Sequence, residues 1–383
     1  MFKFHSYFNL EVITSYAAFI KKRLIWNQLL AEIPHYLPSM TWEWHQAWLQ
    51  ANPHFQSRLH FLFIYTPKHR LAGIIPLVET TERLGAIHLT ILTLAGIRDH
   101  IKTIFIAAPE HQLPLLDLLM HYVTYEHTHW DLLTFRRLGS NRGDEIFLER
   151  ISNHLHLRFA TEAVLEIPYI ALPKNWETYW RSRKKHFRHE YRRKWRQLQQ
   201  LGTVTVQVLE PPLNAQTFHR FVHLENSGWK GQHHSSLAYR PHLKALFYYA
   251  AQWSSPEFRL LQFELRVNQQ VIAASLCPQT RDGLYVYKIA YDESMSRYSP
   301  GMLLRVSEIQ YAIERRLAIY SFSGKAQRWM WQFTHRKHFT RDVIIYHHTL
   351  PARLHHLGYA KIRPYIKRIP ALAGVLHHII TKT

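Results

Sequence analysis

The sequence predicts a mixed α/β protein built from two tandem copies of one layer. A helix, a hairpin, a strand, a second helix and a strand follow one another between residues 41 and 138, and the same order returns with different residues between 215 and 323. Hydrophobic residues make up 47% and aromatics 14% of 383 residues, which excludes a disordered chain and supplies two cores of ordinary size. Residues 283–317 read as a strand (284–291), a polar loop closing on Ser299, Pro300 and Gly301, and an amphipathic helix with Met302, Val306, Ile309, Ile313 and Leu317 on one face. A Pro-Gly turn that feeds a helix leaves backbone N–H groups unpaired, and such groups attract phosphate.

In chain order, the opening to about residue 37 reads as a strand-like start and one or two helices. Trp42, Trp44, His45 and Trp48 stand at helical spacing and anchor a helix on a core rather than stack a ligand. Residues 59–65 and 71–78, around a polar turn at 66–70, form a hairpin. A β stretch at 86–94 ends at Ala95, Gly96, Ile97, Arg98 and Asp99, and a helix at 113–125 leads to a strand at 130–138. The two copies join near Pro168 to Pro173, which divides the chain into residues 1–168, 174–345 and a basic tail, 346–383.

In the basic run 176–196, placed on a helix, Trp176, Trp180, Phe187, Tyr191, Trp195 and Leu198 fall near one face and nine Lys/Arg cover the others. It is either a core-packed helix with a solvated cationic face or an anion-binding wall. The second copy has helices at 215–226 and 242–253, a hairpin of 258–267 and 271–278, the strand–turn–helix, and a strand at 319–323. The tail ends in an apolar stretch, 369–380, too short to span a bilayer.

Charge limits the partners. With 48 Lys+Arg against 27 Asp+Glu, the net +21 favours coenzyme phosphates, RNA or acidic headgroups, without choosing among them. One cysteine, Cys277, excludes an intrachain disulfide and a cysteine-based zinc site. Adjacent histidines such as His233 and His234 point to opposite faces of a strand, so no metal site is expected. No early run is apolar enough to span a membrane, so the protein is expected in the cytoplasm, or peripherally at the inner face of the membrane.

Four motifs carry a resemblance: WETYWRSRKKHFRHEYRRKWRQLQQLG from Trp176, LENSGWKG (224–231), YKIAYDESMSRYSPGMLL (287–304) and FSGKAQRWMWQF (322–333). Together they resemble GNAT-superfamily acyltransferases and, within them, the cellulose-biosynthesis acetyltransferases of the CelD/BcsL type. The resemblance implies two tandem GNAT-like domains, as in the related Fem-type aminoacyltransferases. Their glycine-rich pyrophosphate turn is represented here by Arg297, Tyr298, Ser299, Pro300, Gly301 and Met302, with a single glycine. That departure leaves the donor open between acetyl-CoA, or another acyl-CoA, and aminoacyl-tRNA.

Acyl transfer to an amine needs a held donor, hydrogen-bond donors aimed at the developing oxyanion, and a base. Tyr287, Lys288 and Ile289, with Arg297, Ser299, Gly301 and Met302, are the candidates for holding the donor. Asp292 and Glu225 are the candidate bases, and Tyr291 or Tyr298 the acid for the leaving thiolate. Trp229, Lys230, Lys325 and Trp329 are the candidates for the acceptor. No Gly-x-Ser-x-Gly elbow occurs and Cys277 faces a core, so direct transfer is expected. The acceptor is a small-molecule or envelope-precursor amine of the sugar or amino-acid class; tRNA or an anionic membrane surface are partners for the basic helix, and DNA is not. A non-catalytic GNAT adaptor for an anionic polymer or a membrane is the alternative outside enzymes.

Overall fold

The computed structural model describes residues 7–96, 105–139 and 144–358. Strand β1 (Asn9–Ile13) leads into α1 (Tyr16–Ile20), capped by the Ser15 hydroxyl, and α2 (Arg23–Glu32). Helix α3 (Trp42–Ala51) begins at Thr41, whose Oγ1 accepts from the Trp44 N–H at 3.3 Å, and buries Trp42, Trp44 and Trp48 as expected of a core helix. The first hairpin is β2 (Leu59–Tyr65) and β3 (Leu71–Leu84), followed by β4 (Ile87–Leu94) and a short β5 (Ile106–Ala107). Helix α4 (Gln112–His121) runs into a π-helical turn (Tyr122–Glu126), then come β6 (Leu132–Gly139), α5 (Asp144–His154) and β7 (Arg158–Ala171).

The second half opens with α6 (Trp176–Arg181), α7 (Lys185–Gln199) and β8 (Val204–Leu209). Helices α8 (Ala215–Ser227), α9 (Trp229–Gln232) and α10 (Pro241–Ala250) precede the hairpin of β9 (Arg259–Val267) and β10 (Gln270–Gln279). Asn268 and Gln269 turn it with positive φ of 46° and 73°. Then follow β11 (Gly283–Tyr285), β12 (Lys288–Tyr291), α11 (Pro300–Glu314), β13 (Ile319–Ser321), β14 (Lys337–Tyr346) and α12 (Leu350–His356).

Among the described residues all strands join one mixed 14-stranded sheet, in the order β1-β2-β3-β4-β6-β14-β7-β13-β11-β10-β9-β8, with β5 on β3 and β12 on β10. The order is palindromic. From either end it runs through a strand, an antiparallel hairpin and a strand with a parallel partner (β4 with β6, β11 with β13), and it meets at the antiparallel pair β7–β14. The two halves are thus tandem copies of one mixed α/β layer.

Several expectations change. The basic run is two helices, α6 and α7, with a break at residues 182–184, although its aromatics pack together: the Trp180 ring meets Phe187 and Tyr191 edge-on at 6.1 and 5.2 Å. The segment expected to join the halves at 168–173 is the end of the 14-residue strand β7, which lies inside the sheet. Strand β14, placed by the sequence mostly in the second unit, pairs with β6 of the first half and with β7. None of α5, β7, β8 and β14 was anticipated. Ile97, Arg98, Asp99 and the tail at 369–380 lie outside the described residues. Among the described residues no helix is long and apolar enough to cross a membrane.

One apolar core crosses between the halves. Trp44 of α3 packs against Phe247, Phe258 and Tyr287 of the second half at ring distances of 6.0, 6.0 and 5.3 Å. On the other face of the first half, α4 and α5 cover Leu62, Ile75, Leu77 and Ile345. Because β14 comes from the far end of the sequence, truncating its side chains should loosen the first half. Ile345 is fully buried, and Ile345→Ala is expected to cost about 2–5 kcal/mol of stability, read as a lowered midpoint in urea unfolding of the full chain.

Candidate active site

The strand expected at 284–291 breaks at Val286 and Tyr287, and the break makes the site. Through β11 the chain runs parallel to β13, and the Val286 N–H still donates to the Ser321 carbonyl at 2.9 Å. Past that point β12 stays with β10, from Leu276↔Lys288 to Ala273↔Tyr291, while the chain after β13 turns away and Phe322 N–H bonds the Pro168 carbonyl at 3.1 Å. A cavity of about 1300 Å³ opens at this divergence, walled by β12, the start of α11, α8–α10, the segment 322–332, and Trp48, Phe55 and Val78 of the first half.

Residues 293–298 make a 3₁₀ turn, and Ser299 reverses the chain in the left-handed region (φ 55°, ψ 50°). Pro300 then starts α11, its fixed φ suited to a first helical position. The Ser299 carbonyl accepts from the N–H groups of Met302 (3.0 Å) and Leu303 (3.2 Å), which leaves the Gly301 N–H without an acceptor among the described residues. A Cβ built on Gly301 would meet only Tyr291 Cδ1, at 3.9 Å, so the space beside it is open. The fold does not need a glycine here; the glycine keeps the cavity clear at the positive end of a helix.

The Gly-Trp-Lys-Gly motif has a backbone reason. A Cβ at Gly231 would come within 1.8 Å of the Asn226 carbonyl oxygen, so only glycine lets the chain turn from α8 into α9. The turn carries Lys230 back to Glu225, whose side chain is fully buried: Lys230 Nζ lies 3.0 Å from Glu225 Oε1, and the Leu237 N–H donates to Oε2 at 2.8 Å. Lys288 Nζ stands 3.8 Å from Oε1. Lys230 also donates to the Ile289 carbonyl at 2.6 Å, and Glu293 accepts from the Trp229 N–H at 2.6 Å, so α9 is tied to β12 and to the turn after it.

The cavity wall therefore gathers Glu225, Trp229, Lys230, Tyr287, Lys288, Ile289, Tyr291, Ser299, Gly301, Met302 and Trp329. Four candidates stand off it: Asp292, Arg297, Lys325 and Tyr298, the last buried beneath the Arg297 guanidinium. The Asp292 carboxylate caps the 3₁₀ turn, accepting from Ser294 N (3.0 Å) and Oγ (2.7 Å). Arg297 is exposed, with its guanidinium over the Tyr298 ring at 4.6 Å and its carbonyl held by Lys194. Lys325 is exposed on the segment after β13.

Sequence reasoning passed over Arg305. It lies one turn into α11, 2% exposed, and donates through Nη2 to Glu308, which also accepts from Ser275 Oγ at 2.5 Å and Tyr320 Oη at 2.7 Å. Arg305 Nη1 is buried, has no partner among the described residues, and the residue lines the cavity. The available signal was an Arg and a Glu three residues apart next to the apolar stripe of an otherwise buried helix. Cys277 ends beside this network: it is fully buried, 3.6 Å from Ser275 Oγ, and burial with the nearby Glu308 charge pushes its thiol up. A thiol kept protonated and sealed off is not a nucleophile.

Residues 185–330 match the family profile described as an acetyltransferase (GNAT) domain. Among curated proteins none matches the sequence significantly. By structure the chain is similar to FemX, with a TM-score of 0.60 at 10% identity over 91% of this chain and 99% of that one. It is also similar to a conserved protein of unknown function from Bacteroides thetaiotaomicron (TM-score 0.53, 9% identity, 88% and 100% covered). The C-terminal domain of a protein described as a lysylphosphatidylglycerol synthetase from Agrobacterium fabrum is a third (0.52, 11%, 88% and 94%). At these identities the neighbours speak for the fold alone. The chain is a GNAT-fold protein. More narrowly, its residues 185–330 match an acetyltransferase (GNAT) domain, and most of the cavity wall comes from that segment.

Two outcomes test this geometry. Glu308→Gln leaves the buried Arg305 charge without its counterion and is expected to cost about 3–5 kcal/mol in urea unfolding. Cys277 should resist a disulfide-exchange reagent in the native protein and react fully once denatured; rapid native labelling would contradict its sealed position.

Proposed function

We propose that the protein is an N-acyltransferase that moves an acyl group, an acetyl group first among them, from acyl-CoA to an amine on a sugar, amino acid or envelope precursor by direct attack. The observation that carries this reading is the unpaired Gly301 N–H at a helix start whose Cβ side is open, where β12 leaves β13. A helix start with no side chain in front of it suits the phosphates of the donor, and a strand edge released from its neighbour suits the arm that leads to the thioester.

Around that geometry each residue takes a role. Lys288 and Lys230 offset negative charge deep in the cavity. Glu225 has hydrogen-bonding capacity left beyond Lys230 and Leu237, and receives the proton of the attacking amine. Such a base contributes on the order of 10²–10⁴ in rate. Tyr291 supplies a proton to the departing thiolate. Trp48 and Phe55 of the first half form the wall on which the acceptor rests.

A second reading keeps the fold and takes aminoacyl-tRNA as donor. It is favoured by α7: Glu190 lines the cavity, Lys194 bonds the Arg297 carbonyl, and the exposed face of that helix is basic. Calorimetry with acetyl-CoA and with tRNA separates the two. The first reading expects acetyl-CoA binding that Gly301→Glu weakens by about 5- to 1,000-fold, since a carboxylate about 4 Å from a phosphate costs about 1–4 kcal/mol. It also expects release of free CoA with an amine panel. Absence of CoA binding, with tRNA affinity that falls steeply with salt, would hand the assignment to the second.

A further inference from the structure

We propose that His60, Glu79 and His127 form a binding site for a divalent transition metal of the Zn²⁺ class, on the face of the sheet opposite the acyl-donor cavity. His60 lies on β2 and Glu79 on β3. In their register His60 faces Leu77, so Glu79, two residues further on, projects from the same face. Val78, between them, projects from the other face and lines the cavity. His127 arrives from a different element, directly after the π-helical turn that ends α4, a geometry that recurs at functional sites. Sequence spacing does not connect these three residues; the fold does.

Their ligand atoms converge. His60 Nε2 and His127 Nε2 stand 3.9 and 3.7 Å from the same oxygen, Glu79 Oε2, and all three atoms lie within 4.8 Å of one another. Those separations are too long for an N–H···O hydrogen bond. They approach the spacing of about 3.4 Å between ligands that sit about 2.1 Å from a tetrahedral ion. His127 Nε2 is buried and has no hydrogen-bond partner among the described residues, a polar atom aimed at the point where an ion would complete the set.

The surroundings fit a ligand shell. Tyr122 Oη lies 3.5 Å from His60 Nδ1, the ring nitrogen turned away from Glu79, where a partner fixes the tautomer of a ligating imidazole. The Tyr122 ring stacks parallel on His127 at 5.9 Å, and the two imidazoles stand 4.3 Å apart. Two imidazoles and one carboxylate suit Zn²⁺ or its first-row neighbours, not Mg²⁺ or Ca²⁺, which want oxygen alone. The side chains of His60, Glu79 and His127 keep 16%, 30% and 19% of their surface exposed, so an ion reaches the site from solvent and a water can take the fourth position. A bound ion would pin the end of α4 to the β2–β3 hairpin whose other face walls the cavity.

The test uses the full chain, freed of metal by a chelator and titrated with Co²⁺, followed by its visible absorption, then displaced by Zn²⁺. With 29 histidines some weak binding is expected anywhere on the surface, so the double variant His60→Ala, His127→Ala is the reference. The expected result is one tight equivalent with a ligand-field band in the wild type, a rise in melting temperature with Zn²⁺, and loss of at least about 100-fold in affinity in the double variant. Should the double variant fail to fold, Glu79→Gln and Tyr122→Phe are expected to weaken binding by at least about 10-fold each. Equal affinity and spectra in wild type and variants, or no binding above the histidine background, would overturn the site. Neither result bears on acyl transfer, which is measured separately.

Discussion

The antiparallel pair β7–β14 is the constraint on which the architecture rests. Each half of the chain ends in a strand that the other half needs: β14, from the C-terminal side, fills the place between β6 and β7, and β7 in turn carries β13 on its last three residues. Their register runs from Arg158↔Tyr346 to Pro168↔Lys337. A slip of one residue would turn Ile345 and Val343 from a sealed core to the opposite face, so the register is held by burial as well as by hydrogen bonds. Fusing the sheets fixes where the halves face each other. The cavity, with one wall from α3 and β3 and another from α10 and β12, exists only because that placement is fixed.

The elements legible in the sequence are those whose signal is local. The hairpin residues of β2–β3 and β9–β10, the stripe of α11 and the buried tryptophans of α3 all follow from spacing within a dozen residues. Strand β7 was not legible, because Pro168 reads as a break. It is tolerated near the end of the ladder with β14, where its carbonyl instead accepts from Phe322. Strand β14 was hidden by its basic start and by partners about 170 and 200 residues away in sequence. Within the site, the LENSGWKG motif drew attention to Lys230 and Glu225, and the structure places both on the cavity wall. Asp292 misled because Asp-x-Ser before a turn is also a plain capping pattern, which is what the structure makes of it.

The Arg305 network explains how α11 is aimed. Glu308 collects Arg305 from its own helix, Ser275 from β10 and Tyr320 from β13, the two strands that flank β11. One buried carboxylate thereby fastens the helix to both sides of the point where the sheet divides. Apolar packing alone would hold α11 against the sheet but leave its rotation to side-chain fit; three directed hydrogen bonds set it. The consequence appears one turn earlier, where Gly301 and the helix start are turned toward the gap beside Tyr291.

The same arrangement in the first half has gone another way. There α4 stands between β4 and β6 as α11 stands between β12 and β13, but helix and sheet are packed shut. A Cβ on Gly73 would lie 2.4 Å from Leu115 Cδ1, and Leu115, Leu116 and Leu119 are fully buried against β2 and β3. A glycine in the first half lets the helix close on the sheet, whereas Gly301 in the second keeps a space open. Duplication has thus given one half a cavity and turned the other into its wall. In the proposed acyl transfer that wall would have to be stiff, because misplacement of an acceptor by about 1 Å costs on the order of 10² in rate. The hairpin that supplies Val78 to the cavity supplies His60 and Glu79 to the far face, so its rigidity and the shape of the cavity are a single property of the sheet.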